Sequence, residues 1–371
     1  MKIAILTYHN TLNFGAALQT YSLLRFLQET GNEAEIIDYR NKKIENRKNN
    51  ESLKFSLRHS FSFAKAKLQS PAWRIKRQTF DEFSEKHLTV SNETYESLTA
   101  LAGTTNLYDL FMVGSDQVWN HEINGMDSAY LLDFVEDASK KVSFASSFGL
   151  DVIPSDLREI YARGLSSFSC LSVRERLGAK LISELTGKAA LIHADPVFLT
   201  SPNTWMELAA STNAPAMRGR LVSYFLGSDI RNTADSIILN SPLKHMKEVK
   251  LAGGLKTSDL LSRRVSVRFD RGPIEFVKSI SEASFVLTSS FHATAFAILL
   301  DKPFAVILSG NEGKDSRITE LLNTFSLSNR AVAQPDELNF SAPSLQTDTH
   351  EIITKLRTES VEYLLDMLDS K

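Results

Sequence analysis

The sequence predicts an α/β fold made of two Rossmann-like parallel-sheet domains facing each other across a cleft. Three observations carry this. Short apolar runs alternate with helical stretches in two successive units. At 371 residues the chain exceeds one ordinary core. A small, polar, Pro- and Gly-bearing stretch at 211–219 (STNAPAMRG) separates the two units. The expected division is a first domain over 1–210 with a basic helical insertion at about 41–95, and a second over 220–345. A C-terminal helix over 346–371 is expected to pack back on the first domain.

Taken in order, residues 2–8 (KIAILTY) predict a buried strand, 9–15 (HNTLNFG) a loop and 16–30 a helix stopped by Gly31. Residues 35–39 (EIIDY) predict the second strand of a βαβ unit. That unit lacks GxGxxG, so it does not indicate a dinucleotide. Further strands are predicted at 107–113, 141–148, 170–174 and 189–194, with a helix at 177–185. In the second unit the pattern gives strands at 221–226, 248–252, 283–288 and 304–308. Helices are expected there at 233–239, 274–284, 294–300 and 316–324, with a last amphipathic one across 349–368.

Composition narrows the class. The chain is 43% hydrophobic and 23% charged, with a net charge of −2, which argues against a wholesale nucleic-acid binder. Its single cysteine, Cys170, can form neither an internal disulfide nor a Cys-rich metal site, which fits a reducing compartment. The N-terminus reads as a strand and not a signal peptide, and no run approaches the roughly 20 apolar residues of a membrane span. A cytoplasmic protein is expected. The charge is uneven, however: residues 40–77 hold twelve Lys and Arg against Glu45 and Glu51, a net of +10. Leu53, Leu57, Phe61, Ala64 and Leu68 form an apolar helical stripe inside it. Such a segment suits an anionic bilayer, an anionic ligand or packing on its own domain.

Four loops follow strand ends, where open α/β sheets bind ligands. The first runs from Asn10 to Gly15 and includes Asn13, its glycine letting backbone approach a ligand. The second, Gly114 to Asn120, brings Ser115, Asp116, Trp119 and Asn120 directly after an apolar strand. Trp119 suits stacking on a sugar face or plugging the rim of the domain. In the third, Arg174 suits a phosphate or carboxylate by bidentate bonding, or pairing with Glu175, Asp195 or another acid. The fourth, 289–294, carries Ser290 and His292 between an apolar strand and an apolar helix. A histidine so placed can take or pass a proton. No HExxH, CxxC or Asp/His cluster appears, so no catalytic metal is expected; GxSxG and GxxxxGK[ST] are absent too.

Six segments recur in a known order: NFGAALQTYSL (13–23), GSDQVWN (114–120), SFASSFG (143–149), SVRE (172–175), ADPVFL (194–199) and TSSFHATAF (288–296). Together they resemble the polysaccharide pyruvyl transferase family, from Met1 to about Val332. The resemblance implies a GT-B-like architecture and transfer of a pyruvyl group from phosphoenolpyruvate to a sugar, leaving a pyruvate ketal on a surface polysaccharide or its precursor. It implies no cofactor beyond the donor substrate, and a saccharide acceptor that is free or lipid-linked. A lipid-linked acceptor would give the segment at 40–77 a peripheral membrane role. Carried over by position, the histidine of the family falls on His292, its strand-end arginine on Arg174, and its late basic residue on Arg317. Two positions depart: Ala293 stands where a glycine usually follows the histidine. Ala16 stands where many members carry an acid, which leaves Asp116 as the nearer carboxylate. His292 and Asp116 are thus the catalytic candidates, and Asn13, Gly15, Ser115, Trp119, Asn120, Arg174, Ser290 and Arg317 the substrate-binding ones.

Two other classes compete with this reading. Retaining GT-B glycosyltransferases that use a nucleotide sugar often carry two Glu eight apart, whereas Glu275 and Glu282 are seven apart, and no DxD is found. A non-catalytic carbohydrate-binding protein would have no need of His292 and Arg174 beside a cleft.

Overall fold

The computed structural model describes residues 1–46, 62–226, 230–251, 263–338 and 348–371, with backbone alone at 62–70, 72, 312 and 314. Two compact units make up the chain. One comprises Met1–Leu57, Ser84–Thr200 and Lys355–Lys371, the other Arg58–Phe83 and Ser201–Thr354.

In the first unit β1 (Lys2–Leu6), β2 (Glu33–Tyr39), β3 (Val90–Tyr95), β4 (Leu110–Val113) and β5 (Lys141–Ser143) form one parallel sheet, ordered β3-β2-β1-β4-β5. The run KIAIL is buried because β1 is central, with Ile3 opposite Ala34 on one side and Leu110 on the other. The Phe14–Glu29 helix returns the chain from β1 to β2. A two-stranded strip follows, β6 (Ser172–Val173) beside β7 (Leu191–Ile192).

The second unit repeats this plan with unrelated residues. Its strands β8 (Arg220–Tyr224), β9 (Lys247–Leu251), β10 (Val265–Arg268), β11 (Phe285–Thr288) and β12 (Phe304–Val306) run parallel in the order β10-β9-β8-β11-β12. Counted within each sheet, both read 3-2-1-4-5. Strand order reverses between β1 and β4 in one and between β8 and β11 in the other, and ligands of doubly wound sheets bind outside the strand ends at that reversal. Each unit has its own apolar core: Leu6, Phe111, Val113 and Leu132 belong to the first, Leu221, Ile237, Leu287 and Ala305 to the second.

Several elements depart from the sequence pattern. The strand expected over 141–148 stops at Ser143, because Ala145 takes a left-handed φ of +48° and the next amides turn to other acceptors. Ser146 N–H donates to Ser172 O and Ser147 N–H to Asp116 O. The strands expected at 170–174 and 189–194 shrink to two residues each, and Leu191 and Ile192 are exposed. Edge strands β3 and β10 were not anticipated, their sequences VSNETY and VSVR being too polar to register as buried runs. The Arg158–Ser166 and Pro202–Ala210 helices were also unforeseen. The second of these had a legible start, since Ser201 Oγ accepts from Thr204 N–H and Pro202 occupies the first turn. The 211–219 stretch lies within the second unit, the division falling at Thr200. Of the predicted basic stripe, Leu53, Leu57 and Phe61 lie outside the described residues, as do the side chains of Ala64 and Leu68.

Candidate functional site

At the reversal point of the first sheet, the loops leaving β1 and β4 lock together. Thr7 Oγ1 donates to Ser115 O (2.9 Å), and Tyr8 OH to Gln117 O (2.9 Å). Burial first, then Tyr130 and Asp116, push the Tyr8 phenol well above its ordinary value, so it stays a donor. Asp116 adopts φ +79°, its Oδ1 accepting from Gln117 N–H at 2.8 Å. Two non-glycine residues, Asp116 and Ala145, thus hold left-handed backbone at the ends of adjacent strands. Strain of this kind is characteristic of functional sites. Gly149 (φ +62°) closes the group, since a Cβ there would lie 2.1 Å from Gln117 Oε1.

Beneath this surface lies a buried charge cluster. Arg174 Nη1 donates to Asp195 Oδ2 at 2.7 Å, and Nε stands 3.6 Å from Glu175 Oε2. Ser115 Oγ donates to the same Asp195 oxygen (3.2 Å), and Ser147 Oγ to Glu175 Oε1 (2.7 Å). Burial alone would lower the Arg174 pKa; Asp195, Glu175 and Asp116 outweigh it and hold the guanidinium above its ordinary value. With its side chain 1% exposed, Arg174 is paired with Asp195 and Glu175.

Other candidates also move. Trp119 is a core residue: its indole N–H donates to Tyr130 O (2.9 Å), and its ring packs on Phe148 and Phe168. Buried on all sides, it presents no face for a sugar. Asn120 caps a short helix by accepting from Glu122 N–H (2.9 Å), and its amide donates to Gln117 Oε1. Asn13 Oδ1 caps the Phe14–Glu29 helix through Gly15 and Ala16 N–H, so Gly15 stands in the first turn and not in a loop.

The sequence reading passed over His9 and Asp38. His9, the third residue past β1, places Nε2 2.9 Å from Asp38 Oδ1, and Arg40 and Thr94 bind the same carboxylate. Burial raises the Asp38 pKa, but the bonds from His9, Arg40 and Thr94 win and hold it well below the usual range. A histidine right after a buried strand was the available signal.

In the second unit the strand-to-helix turn is built by hydroxyls. Thr288 Oγ1 donates to Tyr224 O (2.6 Å) and accepts from Ser290 N–H (3.0 Å), which ties β11 to β8 at their ends. Ser290 caps the Phe291–Leu299 helix, its Oγ accepting from Ala293 N–H. That helix starts three residues earlier than the apolar run suggested. His292 therefore sits inside its first turn, buried, edge-on to Phe291 at 5.1 Å. Arg317 lies within the Glu312–Thr324 helix. Glu275 and Glu282 are structural ties. Glu275 accepts from Thr212 and from Gly272 N–H, and Glu282 from Met217 N–H. Among the described residues, no group of three or more His, Cys, Asp or Glu could hold a metal, and no helix is long and apolar enough to cross a membrane.

Two doubly wound sheets of identical order, each with hydrogen-bonded polar loops at its reversal point, define a GT-B-like α/β fold. Solved structures of this fold include S. aureus MnaA with UDP (TM-score 0.53, 11% identity, covering 100% of this chain and 96% of that one). UDP-GlcNAc 2-epimerases from Methanocaldococcus jannaschii (0.51, 11%) and Neisseria meningitidis (0.50, 11%) match over 100% of both chains. At that identity the likeness extends to the fold alone. No curated protein matches this chain significantly. The family is decided by sequence: the chain belongs to the polysaccharide pyruvyl transferase family, whose model matches residues 13–311. It is accordingly a transferase of polysaccharide biosynthesis, with a saccharide acceptor.

Proposed function

We propose that this chain moves the pyruvyl group of phosphoenolpyruvate onto two hydroxyls of one sugar, forming a pyruvate ketal and releasing phosphate. The observation that carries the proposal is His292, buried in the first turn of the Phe291–Leu299 helix at the reversal point of the second sheet. Ketal formation requires a proton on the enol methylene of the donor while a sugar oxygen attacks its central carbon. Phosphate then leaves, and the second hydroxyl closes the ring with loss of its proton. His292 is the group assigned to proton transfer at the donor. Asp116 is assigned to a sugar hydroxyl, its strained backbone holding the carboxylate at the first sheet's reversal point. A well-placed acid or base contributes about 10²–10⁴-fold. Donor phosphoenolpyruvate is a substrate, so the reaction calls for no resident cofactor.

Thermal unfolding with phosphoenolpyruvate tests this without a known acceptor. A ligand at 100 times its dissociation constant stabilises the native state by about 2.7 kcal/mol, which moves a mid-sized domain by several degrees. The expected result is a rise in midpoint that is reduced in His292→Ala. A rise with nucleotide sugars alone would sink the donor assignment.

A further inference from the structure

The Ser62–His87 helix lies directly against the chain leaving β10. Trp73 packs on Phe269 with ring centroids 6.2 Å apart, and a Cβ on Gly272 would stand 3.0 Å from Thr79 Cβ. Between these contacts lies Arg271, 1% exposed. Among the described residues, its Nε and Nη2 have no hydrogen-bond partner, and neither has the buried Trp73 Nε1. Buried donors are nearly always bonded, and an unbonded one costs about 1–3 kcal/mol, more when charged.

The carboxylates around Arg271 are engaged elsewhere. Asp270 is held by two bonds from Arg268. Glu275 is held by Thr212 and Gly272, and Glu282 by Met217 and Lys278. Burial and the nearby Arg268 charge lower the Arg271 pKa against the pull of those three acids. What remains is a set of donors without an acceptor among the described residues. Nε and Nη2 form one edge of the guanidinium, the parallel fork that grips two oxygens of a phosphoryl group, and the indole N–H adds a third donor.

We infer that Arg271 and Trp73 form a phosphoryl-binding site in the second unit, with Arg268 at its rim. The ligand is the phosphate or diphosphate group of a substrate. This does not depend on His292 or on the pyruvyl chemistry. Two sources share that chemistry, a phosphate-bearing donor and a diphosphate-linked acceptor, and the probes below separate them.

The test is intrinsic fluorescence titrated with phosphoenolpyruvate and with inorganic pyrophosphate, in wild type, Trp73→Phe and Arg271→Met. Trp119 and Trp205 are sealed in cores, at 1% and 0% exposed, so a signal lost in Trp73→Phe comes from this locus. Arg271→Met should weaken binding at least tenfold while leaving the thermal midpoint of the free protein unchanged or raised, since it deletes buried donors that no described residue satisfies. A response to pyrophosphate alone assigns the site to a diphosphate-linked substrate, and a response to phosphoenolpyruvate alone to the donor. No response to either probe, an affinity unchanged in Arg271→Met, or a midpoint lowered by several degrees in that variant would overturn the inference.

Discussion

Arg174 sits between Asp195 and Glu175 with almost no exposure, and deleting it would strand two buried carboxylates. Breaking such a cluster from one side costs about 3–5 kcal/mol. Arg174→Met should lower the urea midpoint accordingly, with or without donor; an unchanged midpoint would return Arg174 to the role of an open ligand clamp. His292 was legible because an apolar strand and an apolar helix flank it, and a polar ring at that junction stands out. The pairing of Arg174 was not legible, because a guanidinium after a strand reads alike whether it faces ligand or Asp195. Only the position of the 194–199 loop decides between them. The left-handed backbone of Asp116 was equally hidden, since Asp carries no mark of φ.

At the level of elements, the turn from 143 to 149 replaces an expected strand with strained backbone stapled to the ends of β4 and β6. Gly149→Ala would force a Cβ into Gln117 Oε1 and a left-handed φ onto alanine. A loss of about 1–3 kcal/mol is expected in denaturant melts; a neutral outcome would mean the turn can relax. The Asp348–Asp369 helix supplies a second test. His193 stacks on its Tyr363 at 4.1 Å, and His193 Nδ1 is hydrogen-bonded with Ser172 Oγ at 2.8 Å. Burial holds the His193 pKa down at about 4, from an ordinary 6.5. Above pH 6.5 the ring is neutral folded or unfolded and adds no pH dependence. Between 6.5 and 4 the unfolded chain takes up a proton that the folded chain refuses, so stability falls as pH falls. The stability difference between wild type and His193→Phe should therefore shift across that window and stay constant above it. A difference independent of pH would refute this.

For the whole molecule, alternating periodicity sufficed to foresee two doubly wound sheets, because central strands such as β1 and β11 are apolar throughout. The edge strands β3 and β10 escaped, being half-solvated and polar in sequence. Nor does local pattern encode which unit a segment joins. Lys355–Lys371 belongs with the first unit, where Arg357 Nε donates to Leu199 O and Lys371 Nζ to Ser139 O. A chain ending at residue 354 should thus lose first-unit stability, read as faster proteolysis within 84–200 than within 201–338. Equal protection of both segments would show that the last helix is dispensable.

That partition also bears on how the protein is made. A ribosome delivers residues 1–57 and 84–200 early, yet the helix that covers His193 and Phe144 is made only after the described strands of the second unit. The first unit must wait, part of its apolar surface bare, until residues 355–371 have been delivered. Chaperone dependence during translation should therefore fall on the half of the enzyme that is synthesised first.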